Sequence, residues 1–163
     1  TGDLGRLTEG MRGIYHQEWN RTDGPARAFV LVVTTDPIPP RASFVALRDG
    51  DAPRYGEGDG VRTKELVGPR ANFPLHGDVR LLTDTTIAGG AHLRRALAEG
   101  EGAVTFPLEG EIALEGSRLT PPSMAVLPPA LDPRSIELSA TTPVRLLWVT
   151  FGLGNGLLRR VID

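Results

Sequence analysis

From Val104 to Leu114 every even position is apolar or glycine, namely Val104, Phe106, Leu108, Gly110, Ile112 and Leu114. The odd positions read Thr, Pro, Glu, Glu and Ala. A period of two is the pattern of a β-strand with one face in a core and the other in water. Pro107 has no ladder donor and Gly110 no side chain to pack, so the strand is expected at an edge or bent there. Gly116-Ser117 then supplies a Gly-first two-residue reversal of the mirror-image kind that matches strand twist. Arg118-Leu119 starts the return, Thr120-Pro121-Pro122 interrupts it, and Met124 to Leu127 reads as a short buried run closed by Pro128-Pro129. A pair of hairpins with proline punctuation belongs to a small double-sheet β fold.

Composition supports that reading. The 20 Gly and 14 Pro are spread evenly over 163 residues, which fits frequent tight turns between short strands and favours an all-β class. A chain of this length makes one sizeable domain, or one domain plus part of another. With no Cys, disulfides, thiolate metal sites and sulfur nucleophiles are excluded, leaving His and carboxylates as the strong metal ligands. A net charge of -2 without a Lys/Arg-rich run argues against direct nucleic-acid binding. The sequence carries no apolar stretch of membrane-spanning length and no signal-peptide pattern, so no membrane partner and a cytoplasmic location are expected. Because the first residue is Thr1, the chain is expected to have been trimmed or processed.

Taken in order, Arg12 to Asn20 alternates, with Ile14, His16 and Glu18 on one face. On a strand His16 and Glu18 would point the same way, about 6 to 7 Å apart. Ala26 to Thr35 is a β-branched run suited to a strand buried on both faces. Arg48 to Gly60, rich in Gly, Asp, Pro and Glu, reads as a linker between residues 1–47 and 61–163. In the second part, strands are expected over Val61 to Val67, Asp78 to Thr86, Leu93 to Glu99, Ser135 to Ala140 and Val144 to Phe151, with a helical turn at Leu157 to Ile162. The expected core is Leu81, Val104, Phe106, Ile112, Leu114, Val126, Ile136, Leu146 and Trp148.

The stretch TGDLGRLTEGMRGIYHQE, followed by Asp23-Gly24-Pro25 and Phe29 to Val33, resembles the pirin family of bicupins. So do Asp78 to Gly90 and Phe106 to Gly116. The resemblance implies a cupin-type jelly-roll β-barrel or double sheet, with a partial first cupin (1–47) preceding a complete second one (61–163). It further implies one iron, or another divalent transition metal, in the first cupin, held by three histidines and one glutamate. His16 and Glu18 match the family's His-x-Glu ligands. The family's His-Pro-His pair has no counterpart, since the other histidines are His76 and His92. The second barrel has no His-x-His and resembles the family's metal-free domain.

Bottom-up, imidazole and carboxylate on one strand face suit non-haem iron, manganese or zinc, and they also suit a solvated polar face. His76 and His92 fall in turn sequence and are expected to be dispensable. Glu109, Glu111 and Glu115 read as a solvated face that guards an edge. Three functions follow. The first is a metal-dependent quercetin 2,3-dioxygenase-type enzyme acting on a small aromatic substrate, with Glu18 as ligand or catalytic base. The second is a pirin-like binding or regulatory protein whose metal state tunes contact with a protein partner. The third is a degenerate, metal-free cupin serving as structural or small-ligand module. Unpaired strands in residues 1–47 are expected to pair with a second copy, with a separate N-terminal fragment, or with the chain's own second barrel.

Overall fold

The computed structural model describes residues 2–16, 23–25, 28–33, 35, 37–75 and 77–152. Two antiparallel sheets face each other. The larger holds β3 (Arg54–Gly56), β4 (Val61–Val67), β5 (Val79–Ile87), β7 (Glu101–Glu109), β10 (Ala125–Leu127) and β12 (Val144–Gly152), in the order β10-β7-β12-β5-β4-β3. The smaller holds β6 (His92–Leu97), β8 (Ile112–Leu114), β9 (Ser117–Leu119) and β11 (Arg134–Ala140), in the order β6-β11-β8-β9. After β3, β4 and β5, which share the large sheet, the chain passes back and forth between the sheets, with β8 and β9 together in the small one, as in a jelly roll, so it closes a core between two layers. That core includes Ile87, Leu93, Ile112, Ile136, Leu138, Leu146 and Trp148, each 2% exposed or less.

Two further strands form a layer of their own. β1 (Leu4–Thr8) and β2 (Ser43–Leu47) pair antiparallel in register Leu4↔Leu47 through Thr8↔Ser43. Leu4, Val45 and Leu47 pack on the outer face of the large sheet, against a second cluster that includes Leu66, Val67, Phe73, Leu82 and Val149. A bulge between Glu65 and Val67 puts Leu66 and Val67 together in this outer cluster while Glu65 stays on the inner face. Thus the strands near the N-terminus fold against the chain's own sandwich. Ion pairs reinforce the contact: Lys64 reaches Asp84 at 3.0 Å and Asp49 at 2.7 Å, and the backbone N–H of Asp49 donates to Asp3 at 2.7 Å.

The structure corrects several sequence readings. In β7 the buried positions are Ala103, Thr105 and Pro107, whereas Val104, Phe106 and Leu108 are half-buried on the opposite face. The alternation is real, but the apolar set looks outward, toward the layer that carries Phe29, whose ring centroid lies 5.4 Å from that of Phe106. Gly110, at φ +78 and pressed against the Pro143 carbonyl, is where the chain leaves the large sheet for the small one. Beyond it the even positions Ile112 and Leu114 do point into the core.

The following turn is Glu115-Gly116, both at positive φ (46 and 80), between the paired Leu114 and Ser117. It is one residue earlier than the Gly116-Ser117 reversal read from sequence, and both positive φ values fit the type I′ geometry. Val126 and Met124 are exposed at 58% and 60%, because β10 is an edge strand whose Val126 sits beside outward Val104. The Arg48 to Gly60 stretch contains a 3-10 turn (Asp49–Asp51) and the edge strand β3, so part of the expected linker belongs to the large sheet.

Strands were expected over Gly13 to Asn20 and Ala26 to Thr35. Residues 13–16 and 28–33 are irregular and exposed, and the rest of those spans, apart from Thr35, falls outside the described residues. The helical turn expected at Leu157 to Ile162 lies outside the described residues. Within Leu93 to Glu99, whose Leu, Arg and Ala favour a helix by propensity, Leu93 to Leu97 is strand as expected, paired with β11. No helix among the described residues is long and apolar enough to cross a membrane.

Candidate functional site

The inner face of the large sheet is the polar feature that sequence reading missed. Register sets Thr105, Trp148, Thr83 and Glu65 side by side across β7, β12, β5 and β4, with Thr85 and Thr63 paired in the next row. All are buried, between 0% and 2% exposed. Each sits at an inward position of a strand, and a threonine tolerates such a place only when its hydroxyl is bonded. Thr105 donates to the Leu147 carbonyl at 3.1 Å, the Thr63 and Thr85 hydroxyls lie 3.1 Å apart, and Thr85 reaches Thr83 at 3.4 Å.

Arg95 enters this layer from the facing sheet. Alternation along β6 turns Leu93, Arg95 and Leu97 inward, so the arginine is carried in by its neighbours. Its Nη1 donates to Glu57 just after β3, and its Nη2 lies 3.2 Å from Thr85 Oγ1 and 3.5 Å from Thr83 Oγ1. Glu57 also accepts from Thr63. Of the four buried side-chain donors without a hydrogen-bond partner among the described residues (Arg6 Nε, Arg95 Nε, Arg134 Nε and Trp148 Nε1), Arg95 Nε and Trp148 Nε1 belong to residues of the sandwich interior. A buried donor left unpaired costs about 1–3 kcal/mol.

Beside this layer an open cleft of about 490 Å³ is lined by residues that include Tyr55, Glu65, Arg70, Arg80, Leu81 and Thr150. Glu65 is 2% exposed and accepts from the backbone N–H groups of Arg70 at 2.5 Å and Ala71 at 2.9 Å. Tyr55 Oη donates to its other oxygen at 3.3 Å. The Arg70 guanidinium stacks over the Tyr55 ring at 3.9 Å, a cation–π contact. Burial pushes the Tyr55 phenol above its ordinary value, and the Glu57 and Glu65 carboxylates push it further, against the pull of Arg95 and Arg70.

His16 is exposed, in irregular chain rather than on a strand face, and Glu18 lies outside the described residues, as does His76. The structure therefore does not bring His16 to a second ligand among the described residues. His92 is the exposed first residue of β6. Among the described residues no group of three or more His, Cys, Asp or Glu side chains could hold a metal. The sandwich interior does not fit a divalent cation: it presents the permanent positive charge of Arg95, and its carboxylates Glu57 and Glu65 are already engaged by donors. The signal that could have revealed this layer was the Thr83-x-Thr85 spacing together with Leu93-x-Arg95-x-Leu97, a charged residue at an inward register.

No protein-family model and no curated protein sequence matches this chain. Solved structures do. A quercetin 2,3-dioxygenase from Acinetobacter baumannii superposes with a TM-score of 0.63 at 15% identity, over 80% of this chain and 51% of its own. A further structure of a quercetin 2,3-dioxygenase from the same organism gives 0.58 at 23% identity, over 68% and 36%. The protein GK1651 from Geobacillus kaustophilus gives 0.60 at 15% identity, over 71% and 49%. The chain spans about half the length, or less, of the solved structures it matches. Nearly all of the regular structure among the described residues is antiparallel β, in a two-sheet jelly-roll arrangement like that of these structures.

Proposed function

We propose that this is a pirin-like cupin protein that acts by binding, with a metal-free sandwich over residues 61–152 and any metal dependence confined to the region of His16 and Glu18. The observation that supports the reading is the Arg95–Glu57 pair of the sandwich, with Arg95 buried and Glu57 half-buried, since a permanent cation there disfavours a divalent metal. A partner surface is supplied by Phe29 to Val33, whose side chains are 37% to 86% exposed; a contiguous exposed apolar run of this sort is typical of protein–protein contact. The partner on this reading is another polypeptide, a second copy included.

The test is elemental analysis of the purified protein together with oxygen uptake in the presence of quercetin. The expected result is that metal, where present, is lost in His16→Ala and Glu18→Gln, is unaffected by Arg95→Lys, and supports no flavonol-dependent oxygen consumption. Tightly held metal that survives both ligand-region substitutions would place it elsewhere and overturn the reading. Stoichiometric oxygen uptake with quercetin would favour the dioxygenase reading, for which the likeness of fold is at present the support.

A further inference from the structure

We propose that the cleft lined by Tyr55, Arg70, Arg80 and Leu81 binds a small aromatic carboxylate, gripped by the Arg70 guanidinium, with Arg80 as the second cation of the same cleft. The site goes beyond the apolar partner surface and the His16–Glu18 region of the proposed function and shares no residue with either.

Two β-bulges shape the large sheet where it borders this cleft. In β4 the register against β5 shifts between Glu65 and Val67. Against β12, Thr150 faces Leu81 while Phe151 faces Val79, which leaves Arg80 as the extra residue. A bulge re-aims the side chains beside it, and both Glu65 and Arg80 line the cleft. Each arginine is held where it stands. The loop that carries Arg70 is tied down by the backbone N–H groups of Arg70 and Ala71, which donate to Glu65, and the Arg70 guanidinium lies over the Tyr55 ring at 3.9 Å. Arg80 Nη1 donates to Glu101 at 3.1 Å, and its guanidinium fills the space that a side chain at Gly152 would take.

What holds Arg70 uses none of its side-chain donors. Its Nη1 stands 4.0 Å from Glu65 Oε2, beyond hydrogen-bond range, and its guanidinium N–H groups meet no acceptor among the described residues. Arg80 Nε is likewise 3.9 Å from Asp78. The carboxylates of the cleft are taken up. Glu65 accepts at both oxygens, and Glu101 accepts from Arg80 at one and from the Ala98 N–H, at 2.8 Å, at the other. The cleft therefore has spare donors and no spare acceptor, and a guanidinium fork matches a carboxylate. Two arginines and two glutamates balance in charge, which suits a single carboxylate better than a dianion. Because the stacked guanidinium is already ordered, gripping a ligand costs it little freedom. Pro69, Leu81, Ala96 and the Tyr55 ring give the cleft apolar walls, and its volume of about 490 Å³ is that of a small-molecule site, so an aromatic body fits behind the charge.

The experiment titrates chelator-treated, ¹⁵N-labelled protein with sodium benzoate, and in parallel with benzyl alcohol, sodium phosphate and sodium chloride. Heats are followed by calorimetry, and the backbone amide resonances of Arg70 and Ala71 by NMR. Saturable benzoate binding that moves both resonances is expected, weakened at least about tenfold in Arg70→Gln and several-fold in Arg80→Gln. Arg118 is an exposed arginine of the small sheet paired with Glu111, and Arg118→Gln should bind benzoate as the wild type does. Circular dichroism and thermal unfolding check that the variants fold. Arg70→Lys, which keeps the charge and loses the fork, should also weaken binding and decides the matter should Arg70→Gln not fold. Absence of saturation in the wild-type protein, equal binding of benzyl alcohol, phosphate or chloride, unmoved amide resonances, or an equal loss in Arg118→Gln would overturn the proposal. Benzoate binding is expected to be unchanged in His16→Ala, so its outcome is separate from that of the metal reading, which is judged by metal content.

Discussion

Arg145 and Asp84 are neighbours on the outer face of the large sheet, on strands β12 and β5, and meet through two parallel hydrogen bonds of 2.9 and 2.7 Å. Lys64 approaches the same carboxylate at 3.0 Å from β4. Burial of Asp84 would raise its pKa, but the hydrogen bonds from Arg145 and Lys64 and their charges outweigh it and hold the group below its ordinary value of 3.8. A carboxyl depressed in the folded state contributes stability that is present above the unfolded pKa and lost as pH falls through the folded one. Urea unfolding between pH 6 and pH 3 should show stability falling below about pH 4, with part of that slope absent in Asp84→Asn. Near neutral pH that substitution should cost about 1.5–3 kcal/mol. An unchanged acid limb in the variant would show that other carboxylates carry the effect.

Glu65 is the buried acceptor that ties the loop after β4 to the sheet. Glu65→Ala leaves two backbone N–H groups and Tyr55 Oη without their acceptor, and should lower stability by about 2–4 kcal/mol. Glu65→Gln, which keeps one acceptor oxygen, should cost less. Because burial, Glu57 and Glu65 raise the Tyr55 pKa above 10, the folded state keeps its phenol proton longer than the unfolded chain. The associated stability is present below pH 10 and lost as pH rises through the folded value. Tyr55→Phe should flatten that alkaline limb in chemical denaturation.

Ile112 and Val126 separate inward from outward positions that look alike in sequence. Ile112 is 0% exposed and Val126 58%. Ile112→Ala should cost about 2–5 kcal/mol, and Val126→Ala about 0.5 kcal/mol or less, measured by denaturant midpoint. Equal losses would mean that β10 is covered in solution.

Gly110 and Gly50 test backbone strain. Gly110 has φ +78, and an added Cβ would collide with the Pro143 carbonyl. Gly110→Ala should therefore destabilise by more than about 1 kcal/mol. Gly50 has open space around it and no positive φ, so Gly50→Ala should stay within about 0.5 kcal/mol.

His92 is exposed at the start of β6. His92→Ala should leave metal content unchanged, and should move stability by about 0.5 kcal/mol or less. Loss of metal in that variant would assign it a role that its position does not suggest.

The sequence by itself determined the all-β class and where most strands of residues 61–152 lie, and the alternation it showed from Val104 to Leu108 is present in the fold, although the face was the other one. Periodicity cannot say which of two faces is inside, because a period of two is symmetric under exchange of faces. In β7 a second layer, β1–β2 with Phe29, supplies apolar cover outside, so Val104 and Phe106 turned outward while Thr105 and Pro107 went to the core. The same freedom hid the candidate site. Thr63, the Thr83–Thr85 pair and Arg95 are separated in sequence and individually ordinary, and only strand pairing and the approach of the facing sheet put Arg95 against the threonines.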